Sequence, residues 1–372
     1  MTQHRQVLFQ HVILKGDSYQ IGKTQANVIR GIPGFSEFLG SGAGKFTPEK
    51  FEQISAQIDR FCPGLNAEIQ GLADGLGIPQ QDLIYYAYTW LPKGNCSHFV
   101  LLPSRTVEGK TLVGRSYEFG DKSEDMRLCT MRVKGKHAFI GSSVLLFGFA
   151  DGMNEHGLVV TMSAGGMPVG AVEGMRRPIQ DGFQFWFVVR AVLEQCKTVD
   201  EALEMIQQIP TCGNPILMVT DKSGQAALVE IFGANKAVKR IDAHSDEQML
   251  FAANHFTLPE MLPFRDPIMA HTQNRYDAIQ SRLGGTQPVD KAAIKSLLSD
   301  EYPRGLACHF YDEFFGTLRS MIFDPQAGKI EICFGSPVGG DWYRIDFKSG
   351  MKTYPVQLPL ERTTPEFWQV VS

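Results

Sequence analysis

The spacing of apolar residues along the chain changes character at Cys96. Before it, Ile69, Leu72, Leu76, Leu83 and Ile84 form a helical stripe, interrupted by Gly77-Ile78-Pro79, a stop-and-restart signal. Residues 1–95 therefore read as a mostly helical segment, and 96–372 as the core it precedes. From Cys96 the period shortens to two: Ser97-His98-Phe99-Val100-Leu101-Leu102-Pro103 alternates as a strand does, with Cys96 exposed at its start. Further strands are expected at 111–119, 128–133, 138–147 and 157–163, separated by turn signals such as Glu108-Gly109 and Lys134-Gly135-Lys136. Between 178 and 208 the period lengthens again through Phe183, Phe187, Ala191 and Glu194, then Ala202, Leu203 and Ile206, which predicts two helices across one face of a sheet. Strands return at 215–222, 225–232 and 248–254, helices near 266–283 and 290–298, and strands at 317–324, 329–335 and 342–347. This order fits an α+β chain with two antiparallel sheets packed together under helices on both outer faces. Periodicity alone leaves other layer orders open.

At 372 residues the chain exceeds what one small core needs, and no long Pro/Ser/Gly linker divides it. One globular body with an N-terminal appendage is expected. With 36 Lys+Arg against 40 Asp+Glu the formal charge is −4. That leaves no basic field for nucleic acid or an anionic membrane, so a small-molecule partner is favoured. The apolar stretch from Phe183 to Leu193 is broken by Gln184 and Arg190 and falls short of the roughly 20 residues a membrane span needs. The opening Met-Thr-Gln-His-Arg-Gln lacks an apolar signal core, which predicts a cytoplasmic protein. Seven cysteines without a Cys-x-x-Cys pair argue against a disulfide framework or a zinc knuckle. Gly40-Ser41-Gly42-Ala43-Gly44-Lys45-Phe46 imitates a phosphate loop, yet Leu39 replaces its first Gly and Phe46 its magnesium-binding hydroxyl. It reads as a plain loop.

A thiol becomes a nucleophile when its thiolate is accessible and a base is near. Cleavage of the Asn95–Cys96 bond would give Cys96 both, because its α-amine, with a reference pKa of roughly 7.7–8.0, would be a workable proton acceptor. In isolation Cys96 reads as a buried structural cysteine, and Arg115 and Glu118 as a strand-end salt bridge. Asn254 taken alone is a turn residue, and Arg275 a cation on a solvated helix face.

Taken jointly, the motifs Gly16-Asp17-Ser18-Tyr19-Gln20-Ile21-Gly22, Glu68-Ile69-Gln70-Gly71-Leu72-Ala73-Asp74-Gly75-Leu76-Gly77-Ile78, Gly114-Arg115-Ser116-Tyr117-Glu118, Asp151-Gly152-Met153-Asn154-Glu155-His156-Gly157-Leu158, Asn254-His255-Phe256, Asn274-Arg275-Tyr276 and Thr317-Leu318-Arg319-Ser320 carry a resemblance. The chain resembles the N-terminal-nucleophile (Ntn) amidases of the choloylglycine hydrolase superfamily, in particular the isopenicillin N acyltransferase-like branch. The resemblance implies an αββα Ntn sandwich with an N-terminal helical prosegment (1–95) and catalytic core (96–372), self-cleavage between Asn95 and Cys96, and hydrolysis or transfer of an acyl group at a linear amide without metal or organic cofactor. Its substrate would be a small acyl amide, with an acyl donor or amine acceptor as co-substrate, and a homo-oligomer is compatible with it. It implies Cys96 as nucleophile, Arg115 beside its thiol, Glu118 on the α-amine, Asn254 donating an amide N–H to the oxyanion, and Arg275 completing the network.

Asn154 and Gly157 are assigned to a hairpin turn. Two positions depart from the family pattern: Glu118 stands where Asp is usual, and Ala164 where bile-salt hydrolases have an oxyanion-stabilising Asn. That leaves a backbone N–H near Ser163 or Ala164 as a substitute donor. Two rival readings stay open: a catalytically degenerate binding protein on the same fold, and a papain-like hydrolase using Cys308 with His309, although strand neighbours point to opposite faces.

Overall fold

The chain opens with one long strand, β1 (Gln3–Gly16), in the computed structural model, which describes all residues except 1–2, 31–34, 43, 45–46, 84–94, 168, 170–175, 179 and 372. A helical segment was expected here. The stripe behind that expectation begins at Ile69, whereas Phe9 and His11 are buried and Gln6 and Leu8 exposed in the period of two that a strand requires. Helices follow as expected: α1 (Ser18–Ile29), the short α2 (Phe35–Leu39), α3 (Pro48–Phe61) and α4 (Leu65–Leu76). Gly40–Gly42 form a single tight turn, while Lys45 and Phe46 of the false phosphate loop lie outside the described residues.

After Cys96 come β2 (Asn95–Leu101), β3 (Leu112–Phe119), β4 (Arg127–Val133), β5 (Phe139–Val144), β6 (Gly148–Asn154) and β7 (Val159–Ala164), then α5 (Phe185–Gln195) and α6 (Val199–Gln208). Next are β8 (Pro215–Thr220), β9 (Ala226–Phe232), β10 (Asn235–Ile241), β11 (Met249–Ala252), β12 (Ile268–Met269), α7 (Ala270–Leu283) and α8 (Lys291–Ser299). The chain closes with β13 (His309–Phe310), β14 (Phe315–Asp324), β15 (Lys329–Phe334), β16 (Trp342–Asp346), β17 (Lys352–Leu360) and β18 (Val370–Val371). The strand expected at 138–147 ends early, because Leu145 and Leu146 turn the chain at φ 52° and 72°. Neither carries the Gly or Asn that usually announces such a turn.

The strands build a nine-stranded sheet, β10-β9-β8-β7-β6-β5-β4-β1-β17, and a second sheet, β11-β2-β3-β14-β15-β16, with β13 beside β14. In the first sheet β1 pairs antiparallel with β17 but parallel with β4 (Gln10↔Arg127 to Gly16↔Val133), so that sheet is not purely antiparallel. The sheets face each other through β2 against β7 and β8, and polar bonds cross between them, such as His98 Nδ1 with Thr161 Oγ1 at 2.7 Å. Helices α5 and α6 cover the outer face of the nine-stranded sheet, while α7 and α8 cover the other. The layer order is αββα.

The N-terminal helices are locked on by close approach and by charge. A Cβ on Gly22 would lie 1.9 Å from Glu68 O, and one on Gly71 2.1 Å from Tyr19 O, so α1 and α4 touch backbone to backbone. Glu68 of α4 is fully buried and meets Arg190 Nη2 of α5 at 2.6 Å; Arg190 Nε binds Glu194 at 2.9 Å. Among the described residues no helix is long and apolar enough to cross a membrane.

Candidate active site

Cys96 is the second residue of β2 and is fully buried. The β2–β3 register sets Cys96 opposite Tyr117 and His98 opposite Arg115, and from there Arg115 Nη2 donates to Cys96 Sγ at 3.0 Å. Arg115 is held in place by Ser116 O at 2.8 Å and by Asp151 Oδ2 of β6, 3.3 Å from Nε. Burial pushes the Cys96 thiol above its ordinary range, and the Arg115 charge opposes that shift. In the intact chain burial thus favours the thiol form, while a thiolate-stabilising cation is already in contact.

The backbone nitrogen of Cys96 has its own partner. Its N–H donates to Asn254 Oδ1 at 3.0 Å, and the same oxygen accepts from Arg275 Nη2 at 2.7 Å. Two donors on one atom identify it as the amide oxygen rather than the nitrogen. Asn254 follows β11, with its backbone N–H on Thr272 Oγ1 at 2.7 Å. Its Nδ2 donates to Ala164 O at 2.9 Å. The amide thus presents an acceptor to the Cys96 nitrogen and spends one of its two N–H bonds on the residue that replaces the expected Asn. Ser163 and Ala164, the region expected to supply a substitute donor, end β7 opposite Ile216 and Pro215 of β8.

Arg275 is fully buried in α7 instead of lying on a solvated face. Beyond Asn254 it donates to Ser97 Oγ at 2.6 Å and His271 O at 3.1 Å, and it faces Glu118 Oε2 at 3.5 Å. Glu118 also accepts from Ser116 Oγ and, at 3.4 Å, from Thr317 Oγ1. Burial raises its pKa, against the pull of Arg275 and Ser116. In this uncut chain Glu118 reaches the Cys96 nitrogen through Arg275 and Asn254, not directly. The structure thus joins Cys96, Arg115, Asn254 and Arg275 in one bonded cluster, with Glu118 behind Arg275. Asn95, the residue expected on the other side of the cut, begins β2 opposite Glu118.

Several neighbours escaped the sequence reading. Asp151, which orients Arg115, and Arg319 were each within a quoted motif but had no role assigned. The row Cys96, Tyr117, Arg319 across β2, β3 and β14 appears only once the register is known. Arg319 stacks 3.8 Å from the Tyr117 ring centre and lies 3.7 Å from Asp151 Oδ2. Buried His98, wedged between Thr161 and Ser163, is kept neutral by burial and by Arg115, which lower its pKa well below the usual value. Asn254 opens onto a small cleft walled by Gly166, Met167, Asp266, His271 and Trp368.

The Cys308–His309 pair has a different setting. Cys308 packs with Phe315 and Phe367, and burial drives its thiol well above the ordinary range. The His309 nitrogens face Ser336 Oγ at 2.7 Å and Glu361 Oε1 at 3.3 Å, leaving neither for a neighbouring thiol.

Two facing sheets between helical layers, with a cysteine near the start of an inner strand beneath an arginine, define the Ntn-hydrolase fold class. Within that class the chain belongs to the acyl-coenzyme A:6-aminopenicillanic acid acyl-transferase family, whose model matches residues 105–338. It is similar to Protein dcd1B of Dictyostelium discoideum, 25% identical over an alignment of 260 residues, with 59% of this chain and 49% of that protein covered. The chain spans about half the length of that curated relative. Among solved structures it is similar to penicillin V acylase from Agrobacterium tumefaciens (16% identity, TM-score 0.44, 69% of this chain and 90% of that one). It is also similar to the Caenorhabditis elegans ortholog of N-acylethanolamine-hydrolyzing acid amidase (15% identity, TM-score 0.43, 62% and 93%).

Proposed function

We propose that the protein is a self-processing amidohydrolase or acyltransferase that acts on a linear amide through a Cys96 thioester. The observation that carries this reading is the double anchoring of one residue: Arg115 on the Cys96 sulfur at 3.0 Å and Asn254 on its nitrogen at 3.0 Å. In processing, Sγ attacks the Asn95 carbonyl carbon, the Asn95–Cys96 C–N bond breaks, and the nitrogen takes up a proton to become an α-amine. Water then releases Asn95 from the thioester. In the mature chain the amine accepts the thiol proton as Sγ attacks the substrate carbonyl and passes it to the departing amine. Water or a second amine finally takes the acyl group. Every step uses this chain's own groups, so a small-molecule acyl amide and its acceptor are the only partners it requires.

Intact-mass analysis combined with a panel of acyl amides tests processing and substrate together. The pieces expected are 95 and 277 residues (372 − 95); an active protein found only at full length would overturn the processing claim. Glu118, turned to Ser116, Thr317 and Arg275 in the uncut chain, favours one second reading, a non-catalytic binding protein. A Cys96 inert to thiol reagents would support it.

The processing rate should rise with pH as the thiol, held above its ordinary range, ionises. The Glu118 charge adds to that upward shift and Arg115 opposes it, so Glu118→Gln should move the midpoint to lower pH and Arg115→Met to higher pH. Midpoints that coincide in all three proteins would show that thiol ionisation does not control the cut.

Asn254→Ala should lower kcat about a hundred- to a thousandfold with little change in KM, because its remaining N–H would serve an oxyanion that exists only in the transition state. Asn154→Ala should instead cost stability. Asn154 Oδ1 accepts from His156 and Leu158 N–H, and Nδ2 ties the turn to Leu193 O and Cys196 O. If Asn254→Ala raised KM at constant kcat, Asn254 would be a uniform substrate contact.

A further inference from the structure

Far from Cys96, at the other end of β7 from Ala164, two turns bring three potential ligands together. His137 precedes β5, and Glu155 and His156 lie in the β6–β7 turn. His137 Nδ1 and His156 Nε2 are 3.0 Å apart, with the rings edge to face. Glu155 Oε1 lies 3.9 Å from His137 Nδ1, and the three ligand atoms fall within 4.8 Å of one another. The proposed chemistry for amide cleavage uses none of these residues.

We propose that His137, Glu155 and His156 form a binding site for a late first-row divalent metal ion, with zinc the best fit. Nitrogen donors held about 2.0–2.1 Å from a tetrahedral zinc lie about 3.3 Å apart, so the two rings need to open by only about 0.3 Å. Two imidazoles and a carboxylate select zinc, cobalt, nickel or copper over magnesium or calcium, which prefer all-oxygen sites.

The backbone under the ligands is already fixed. Glu155 N–H donates to Ala138 O at 2.8 Å, its Oε1 accepts from Ala138 N–H at 3.0 Å, and His137 N–H donates to Glu194 O at 3.1 Å. The His156 N–H is bound by Asn154. The side chains of His137 and Glu155 are 23% and 46% exposed, so an ion can reach them without opening the core. Coordination requires His137 with its proton on Nε2 and His156 with its proton on Nδ1. Each ring stays neutral, and the ion takes the place of the N–H···N bond between them. One position remains for water. Such an ion would brace the β6–β7 turn against the C-terminal end of α5, and positive Lys197 nearby would moderate its affinity.

The test is titration of the chelator-treated, dialysed protein with zinc by calorimetry and with cobalt by visible absorption. Expected are one equivalent per chain, cobalt d–d bands without a thiolate charge-transfer band, and a melting temperature raised by zinc but not by magnesium. His137→Ala and His156→Ala should each weaken binding by at least about tenfold, and Glu155→Gln by less. Cys96→Ala should bind zinc like the parent, which separates this proposal from the reading of the active site. Partly exposed His156 makes His156→Ala the deciding variant should His137→Ala misfold. No saturable uptake, a thiolate band, or unchanged affinity in His156→Ala would each overturn the site.

Discussion

Cys96→Ala should leave a single uncut chain with no amidase activity, the largest effect expected of any substitution here. In the proposed scheme one sulfur serves both reactions, first on the Asn95 carbonyl and then on the substrate. The remaining geometry should survive. Arg115 keeps its bonds to Asp151 and Ser116 O, and the Cys96 N–H···Asn254 bond belongs to the backbone. Cys308→Ala, in its aromatic pocket, should be processed and active. The reverse result in two folded proteins would move the nucleophile to Cys308.

Arg190→Met should be the most destabilising change. Arg190 lies between Glu68 and Glu194 at 2.6 and 2.9 Å, all three buried, and donates to Phe147 O at 2.8 Å. Removing it strands two carboxylates in a dry interior, a loss of about 3–5 kcal/mol, against a typical total of about 5–15 kcal/mol. Methionine fills much of the volume, so the loss reports charge more than a cavity. The sign of its pH dependence follows from linkage. Burial already raises Glu68, and Arg190 holds it down; without Arg190 its folded pKa climbs further above its unfolded value. The variant should therefore be least impaired in acid, where Glu68 is protonated in both states, and lose stability as pH rises through the elevated folded pKa. Urea melts at several pH values check this. A variant within 1 kcal/mol of the parent at neutral pH, on the scale of about 1.4 kcal/mol per tenfold change in equilibrium constant, would mean that water reaches the carboxylates.

What the sequence disclosed is what local spacing can carry. Most strands after Cys96, the paired helices of 178–208 and the Asn154–Gly157 turn follow from period, composition and turn chemistry, whereas β6, β10 and β17 were not among the strands expected. Gly157 does sit at φ 82°. Cys96 stood out as the start of a strand and Arg115, Asn254 and Arg275 through short motifs, and the structure brings all four together. What escaped depends on register or long separation. Strand β1 pairs with β17, more than 300 residues away, and its own alternation is brief. Glu68 and Arg190 are 122 positions apart, so each looks like a surface charge on an amphipathic helix. The orientation of Asn254 is a matter of a single torsion, decided by Arg275 and the Cys96 N–H together, which no motif encodes.

Strand β1 also changes what it means to cut the chain. Its hydrogen bonds to β4 and β17 place the first strand of the 95-residue piece inside the nine-stranded sheet, so cleavage at Asn95–Cys96 would create a two-chain protein joined through a shared sheet. Before the cut, folding is a first-order process of one molecule. Afterwards, a denatured molecule must find its complementary fragment by diffusion, and its apparent stability would depend on concentration. The peptide bond before Cys96 would thus act as a tether needed once, during assembly, whose removal makes the native state hard to regain.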